Sequence, residues 1–198
     1  MGWGHRLRTA CGGARPPPSV ARAAIVPLDV PPNEGSGRSD GQGERLRDPR
    51  CGPAVSYSLD VNVLLYASDQ SSERHLAARR FVESCAAGPE ILCLTWPTLM
   101  SYLRIATHPR IFSAPLSPDE ALANVSALIG LAHVRAVSEL DGFVEAYKHV
   151  ARETPVRGNL VPDAHVAAIL FQHGVRTLYS NDRDFRKFQS IDLRDPFS

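Results

Sequence analysis

From Val55 onward, apolar positions alternate between short strand-length runs and longer stretches with helical spacing. Val55 to Leu59 has the length of a strand, and after Asp60 the residues Val61, Leu64 and Leu65 follow an i, i+3, i+4 spacing that predicts a short helix. Asp60 therefore stands at a strand-to-helix junction. A second helix is expected from Ser72 to Ala86, ended by Gly88-Pro89. Ile91 to Leu94 reads as a short buried strand. Thr95-Trp96-Pro97 then opens a helix with Leu99, Tyr102, Leu103 and Ala106 on one stripe and Arg104 on another face. The loop His108 to Leu116 leads to Ser117-Pro118-Asp119-Glu120, which has the spacing of a capping box and predicts a helix to about Ala132.

In the second half, Val134 to Val137 reads as a strand, Leu140 to Arg152 as a helix starting from Ser138, and Thr154 to Gly158 as a loop. Asp163 is expected to open an apolar helix, Ala164 to His173, which Gly174 closes. Arg176 to Ser180 forms the next strand and runs into Asn181-Asp182-Arg183-Asp184-Phe185, and a last short strand covers Ile191 to Leu193. Strands alternating with helices predict an α/β domain with a mostly parallel sheet and helices on both faces.

Composition divides the chain. Residues 1 to 54 hold 8 of the 16 prolines, 9 of the 14 glycines and eight arginines against five acids, a balance that does not support an independent core. That segment has two readings, a disordered arm or an extension created by a misassigned start. Its apolar part, Val20 to Val30, would suit docking on a partner. Residues 55 to 198 form the expected folded domain, and with 14 basic against 16 acidic residues they carry no general positive field for nucleic acid. A polyanion must meet a local patch there. Cys11, Cys51, Cys85 and Cys93 make no C-x-x-C pair, so neither zinc nor a disulfide framework is indicated and a reducing cytoplasm is the simplest setting. No apolar run reaches the length of a membrane span.

The chemistry lies in four aspartates at the ends of strand-like runs: Asp60, Asp163, Asp182 and Asp184. Aspartate is also a preferred helix N-cap, and in a parallel α/β sheet every crossover helix starts at the same edge, so a shared edge alone carries little weight. The choice of residue carries more. Thr95, Ser117 and Ser138 stand at the other helix starts, whereas carboxylates are confined to these positions, and Asp182 and Asp184 lie close enough to repel without a cation or arginine between them. An all-oxygen donor set favours Mg²⁺ or Mn²⁺ over Zn²⁺. His165, two residues after Asp163, is expected to point away from the site.

Four stretches carry a resemblance: Leu59-Asp60-Val61-Asn62-Val63-Leu64-Leu65-Tyr66, Tyr102-Leu103-Arg104-Ile105-Ala106-Thr107-His108-Pro109-Arg110, Asp163-Ala164-His165-Val166-Ala167-Ala168, and Ser180-Asn181-Asp182-Arg183-Asp184-Phe185. In this order they resemble the PIN-domain ribonuclease toxins of VapC-type toxin–antitoxin modules, in particular the mycobacterial-type branch, over residues 55 to 198. The resemblance implies a three-layer α/β/α sandwich, Mg²⁺-dependent endoribonuclease activity, neutralisation by a cognate antitoxin, and a homodimer. It makes Asp60 and Asp163 the principal metal ligands and Asp182 and Asp184 the further acidic positions. Asn62 and Ser180 would hold the carboxylates by hydrogen bonds.

The pattern departs at one point. The glutamate that many PIN domains carry on the helix after the second strand falls here at Ser101, so either the aspartates suffice or the ion is held more weakly. Arg104 is a candidate for meeting a phosphate or anchoring the acidic cluster. Arg110, Arg183, Arg186 and Lys187 could flank RNA, and Trp96 and Tyr102, though able to stack on bases, have the spacing of core residues. The expected function is an RNA-cleaving toxin. The alternatives are a PIN domain that binds RNA or antitoxin with weakened catalysis, or another Mg²⁺-dependent phosphohydrolase or sugar-nucleotide enzyme, which would lack the usual phosphate-cradling glycine loop.

Overall fold

In a computed structural model, which describes residues 56–112, 114–152 and 154–198, five parallel strands form one sheet in the order β3-β2-β1-β4-β5. The strands are β1 Ser56–Leu59, β2 Ile91–Thr95, β3 Val134–Val137, β4 Thr177–Tyr179 and β5 Asp192–Arg194. Between them lie α1 Val61–Ser68, α2 His75–Ala87, α3 Trp96–Ala106, α4 Pro118–Ile129, α5 Phe143–Val150 and α6 Leu160–Gln172, with a 3₁₀ turn over Arg183–Lys187. The expectations for residues 1–54 and for Val55 lie outside the described residues.

Burial follows sheet position. Central β1 and β2 are almost wholly enclosed, while the edge strands are more open: β3 exposes Arg135 and Ala136, and β5 exposes Asp192 and Arg194. Along β2 the pleat sends Leu92 and Leu94 into a core with residues of α1 to α4, and Cys93 into a second core with α5, α6 and Phe185 and Phe188. Leu59, Leu92, Leu94, Leu99 and Leu178 are fully enclosed. Each such side chain contributes about 1.5–3 kcal/mol by leaving water. These two cores are the outer layers' contacts with the sheet, and they give the α/β/α sandwich.

The order of strands fixes where a site can form. From β1 the chain moves through β2 to β3 on one side, then returns to place β4 and β5 on the other. The connections leaving β1 and β4 therefore diverge, and the crevice beyond their carboxyl ends is the topological switch point. Leu59 pairs with Tyr179 at the last register of the two strands, which sets Asp60 and Ser180 side by side.

Several helix starts differ from the sequence expectation. Thr95 and Ser117 cap as expected, Ser117 with the full reciprocal box to Glu120. Ser138 does not cap. Gly142, at φ 75°, begins α5 instead, and the loop before it is held by Gln172, whose Oε1 accepts from the Leu140 N–H at 2.9 Å. Helix α6 begins at Leu160, so Asp163 lies within its first turn rather than at its cap; Pro162 is tolerated there because a first-turn N–H has no intrahelical acceptor. The final strand is shifted by one residue to Asp192–Arg194.

Candidate metal centre

Ser180 organises the crevice. Its hydroxyl donates to Asp60 Oδ2 at 2.7 Å and accepts from Asn62 Nδ2 at 3.0 Å and from the Asp182 N–H at 2.9 Å. One donor and two acceptor sites are all that a hydroxyl offers, so its capacity is used in full. Asp60 is only 7% exposed, and its other oxygen, Oδ1, accepts from the Val61 N–H at 2.7 Å, capping α1. Asn62 and Ser180 thus form a relay: Ser180 grips the carboxylate and Asn62 grips Ser180.

Beside this buried pair, one carboxylate oxygen from each of Asp163, Asp182 and Asp184 lies within 4.8 Å of the others. Helix α6 supplies Asp163, and the turn after β4 supplies the other two. Asp182 caps that turn by accepting from the Asp184 N–H at 2.9 Å, and Lys187 Nζ donates to Asp184 Oδ1 at 2.8 Å. Phe185, 1% exposed in the second core, anchors the turn from below. Asp60 is not one of the three gathered carboxylates, but its charge reaches them.

Electrostatics tie the four together. Burial, then the charges of Asp182, Asp60 and Asp184, push the Asp163 pKa up to about 6, with Lys187 opposing. Asp60 is raised as well, chiefly by burial and further by Asp182, against the lowering effect of its bonds to Ser180 and Val61. Repulsion among carboxylates with one lysine for company is the condition a divalent cation relieves. The donors are all oxygens, which fits Mg²⁺ or Mn²⁺, and Asn62 Oδ1 is a further buried oxygen that has no hydrogen-bond partner among the described residues.

The remaining candidates are placed more widely. Arg104 is exposed in the last turn of α3, and among the described residues it makes no bond to the aspartates. Ser101 is half-buried on the same helix. Arg110, Arg183 and Arg186 are exposed. Tyr102, 3% exposed, is a core residue bonded to Ser68 and Asn124, but Trp96 departs from the expectation of core packing at 42% exposed. His165 turns away from the cluster to Glu139 and packs against Phe143. Sequence reasoning missed Arg74, which leaves the start of α2 to donate to Asn181 Oδ1 and stacks over Tyr66 and Phe197. No local pattern marks a contact between positions so far apart.

A five-stranded parallel sheet between helical layers, with carboxylates gathered at its switch point, is the arrangement of a PIN-type domain. Ribonuclease VapC48 of Mycobacterium tuberculosis is 46% identical over 144 residues, covering 73% of this chain and 99% of that protein. Ribonuclease VapC43 of the same species is 31% identical over 138 residues, 70% of this chain and 93% of that protein. The chain belongs to the VapC ribonuclease family of toxin–antitoxin modules. The same fold occurs in VapBC2 from Rickettsia felis (TM-score 0.51, 14% identity, 71% of this chain and 98% of that one). It also occurs in VapBC-1 from nontypeable Haemophilus influenzae (TM-score 0.51, 12% identity, 72% and 99%). No protein-family model matches the chain.

Proposed function

We propose that this VapC ribonuclease is a divalent-cation-dependent endoribonuclease in which Asp163, Asp182 and Asp184 hold the ion, with Asp60 completing the acidic site. Mg²⁺ is the expected ion and Mn²⁺ a substitute. The observation that carries this reading is the gathering of three carboxylate oxygens within 4.8 Å beside the buried Asp60. A bound ion of this kind lowers the pKa of water and offsets charge on a phosphoryl oxygen.

The chain's own residues supply the arrangement. Ser180 and the α1 N-terminus keep the Asp60 carboxylate in one orientation, and Asn62 keeps Ser180 in place. Asp163, with a pKa of about 6, gives up its proton as the pH rises through that value, above which the site is competent to take a cation. Lys187 offsets the Asp184 charge through their ion pair. The nuclease function is assigned to residues 55–198.

The proposed partners are RNA as substrate, a cognate antitoxin, and a second copy of the chain in a homodimer, all acting in the cytoplasm. The structural neighbours from Rickettsia felis and Haemophilus influenzae are VapBC proteins, and the former is bound to a DNA fragment from its promoter. Among the described residues no helix is long and apolar enough to cross a membrane. Ser101, where a glutamate was expected, supports a second reading, a domain that binds RNA or antitoxin but cleaves poorly.

Purified full-length protein incubated with structured RNA decides between them. Cleavage that requires Mg²⁺ and is lost in EDTA and in Asp60→Asn is expected of the nuclease. RNA left intact with and without Mg²⁺ would favour the binding module.

A further inference from the structure

Three clefts follow one another away from the aspartates, each sharing a residue with the next. The first, of about 440 Å³, is lined by Asp184, Lys187 and Arg157. Lys187 also lines the second, of about 100 Å³, together with Arg152 and His149. His149, Gln189 and Ser190 continue into the third, of about 370 Å³, where Arg176 and Phe171 join them. Thr154 Oγ1 donates to the Lys187 carbonyl at 3.1 Å and so ties the α5–α6 loop to the turn that carries Asp184.

The charge along this run is one-sided. Among the described residues, its only carboxylate is Asp184, while Arg157, Lys187, Arg152 and Arg176 are all exposed cations. At the head of the run Lys187 pairs with Asp184, and elsewhere Arg79, Lys148 and Arg194 pair with Glu83, Glu145 and Asp192. Arg152, Arg157 and Arg176 have no such side-chain partner among the described residues. In a domain of nearly balanced charge, a run of four cations, three of them unpaired among the described residues, that starts at the acidic site is a local polyanion path.

One feature fits a nucleic acid rather than an acidic peptide. The His149 and Phe171 rings stack at 4.5 Å with an interplanar angle of 20°, and Phe171 is 42% exposed, giving a flat platform for a base.

We propose that these clefts form the track along which a single-stranded flank of the RNA substrate leaves the aspartate site. Its phosphates lie on Arg157, Lys187, Arg152 and Arg176, and a base lies on the His149–Phe171 stack. The assignment rests on the ribonuclease reading of the aspartates.

The test compares binding of fluorescein-labelled RNA oligonucleotides of about 5 and about 20 nucleotides to the full chain in EDTA, from about 50 to about 300 mM salt. Arg152→Ala/Arg176→Ala is expected to weaken binding of the longer RNA by about tenfold and to lower the slope of log affinity against log salt by about 1.4, the value for two single-strand phosphates. The advantage of the longer RNA over the shorter one shrinks accordingly. Arg152→Lys/Arg176→Lys restores most of the slope, and the charge-matched control Arg80→Ala/Arg135→Ala leaves affinity within about twofold.

A double alanine variant that keeps both affinity and slope overturns the track. So does one that loses binding to a 20-residue polyglutamate while retaining RNA. If the wild type cleaves RNA in Mg²⁺ while the variant binds normally, the track alone has failed. If the variant loses binding but the wild type never cleaves, the nuclease reading alone has failed.

Discussion

Ser180 Oγ donates a 2.7 Å hydrogen bond to the buried Oδ2 of Asp60, joining the ends of the two strands that flank the switch point. Ser180→Ala removes that donor and also strips Asn62 Nδ2 and the Asp182 N–H of their acceptor. Leaving buried polar groups unpaired costs about 1–3 kcal/mol, and loss of such support at metal sites lowers affinity about 10- to 100-fold. Chemical denaturation and Mn²⁺ calorimetry should record both losses. Unchanged Mn²⁺ affinity would show that Ser180 does not position the site.

Asp163 sets a pH dependence. Its pKa is raised from 3.8 to about 6 on folding, so its contribution to stability is fully present below pH 4 and is lost as the pH rises through 6. The metal-free protein should therefore lose part of its thermal stability across that window, and Asp163→Asn should flatten the loss. Cation binding needs the ionised form, so Mn²⁺ affinity should fall as the pH drops below about 6. Equal Mn²⁺ affinity at pH 5 and pH 7.5 would contradict this.

Lys187 competes with a cation for Asp184. Its 2.8 Å ion pair is exposed and worth no more than about 1 kcal/mol, so Lys187→Met should leave the fold intact. Removing the competing charge is expected to tighten Mn²⁺ binding by about threefold or more while weakening RNA binding. A loss of Mn²⁺ affinity would reverse the assigned role.

Phe185 holds the turn that presents Asp182 and Asp184. Its ring is 1% exposed and meets Phe188 edge-on, so Phe185→Ala should cost about 3–5 kcal/mol and abolish cation-induced stabilisation. Differential scanning calorimetry with and without Mn²⁺ measures both. A variant stabilised by Mn²⁺ as strongly as the wild type would show that the turn does not depend on this anchor.

Much of this was legible in the sequence because local signals and global topology agreed. Asp60 caps α1 at the junction its pattern implied, and Thr95 and Ser117 cap where their spacing placed them. The expectation that Asp163, a candidate site residue, caps its helix fails, since Leu160-Val161-Pro162 gives no strong start signal and Asn159 makes no side-chain cap. Its place inside the first turn weakens the capping explanation for that carboxylate and leaves the site explanation stronger. Ser138 looked like a cap because serine favours that position, whereas the tertiary bonds from Gln172 and the left-handed Gly142 decide the start of α5. The Arg74–Asn181 contact and the run of clefts past Lys187 arise only when distant segments meet.

The most direct measurement is the rate of RNA cleavage by the full-length chain as Mg²⁺ is titrated, for the wild type, Asp163→Asn and Asp182→Asn. A saturable rise in the wild-type rate is expected, with both variants at least about 100-fold slower at the same Mg²⁺, the scale on which loss of charge stabilisation acts. Wild-type cleavage that is indifferent to Mg²⁺, or variants that cleave as fast as the wild type, would contradict the assignment of these aspartates as the metal centre.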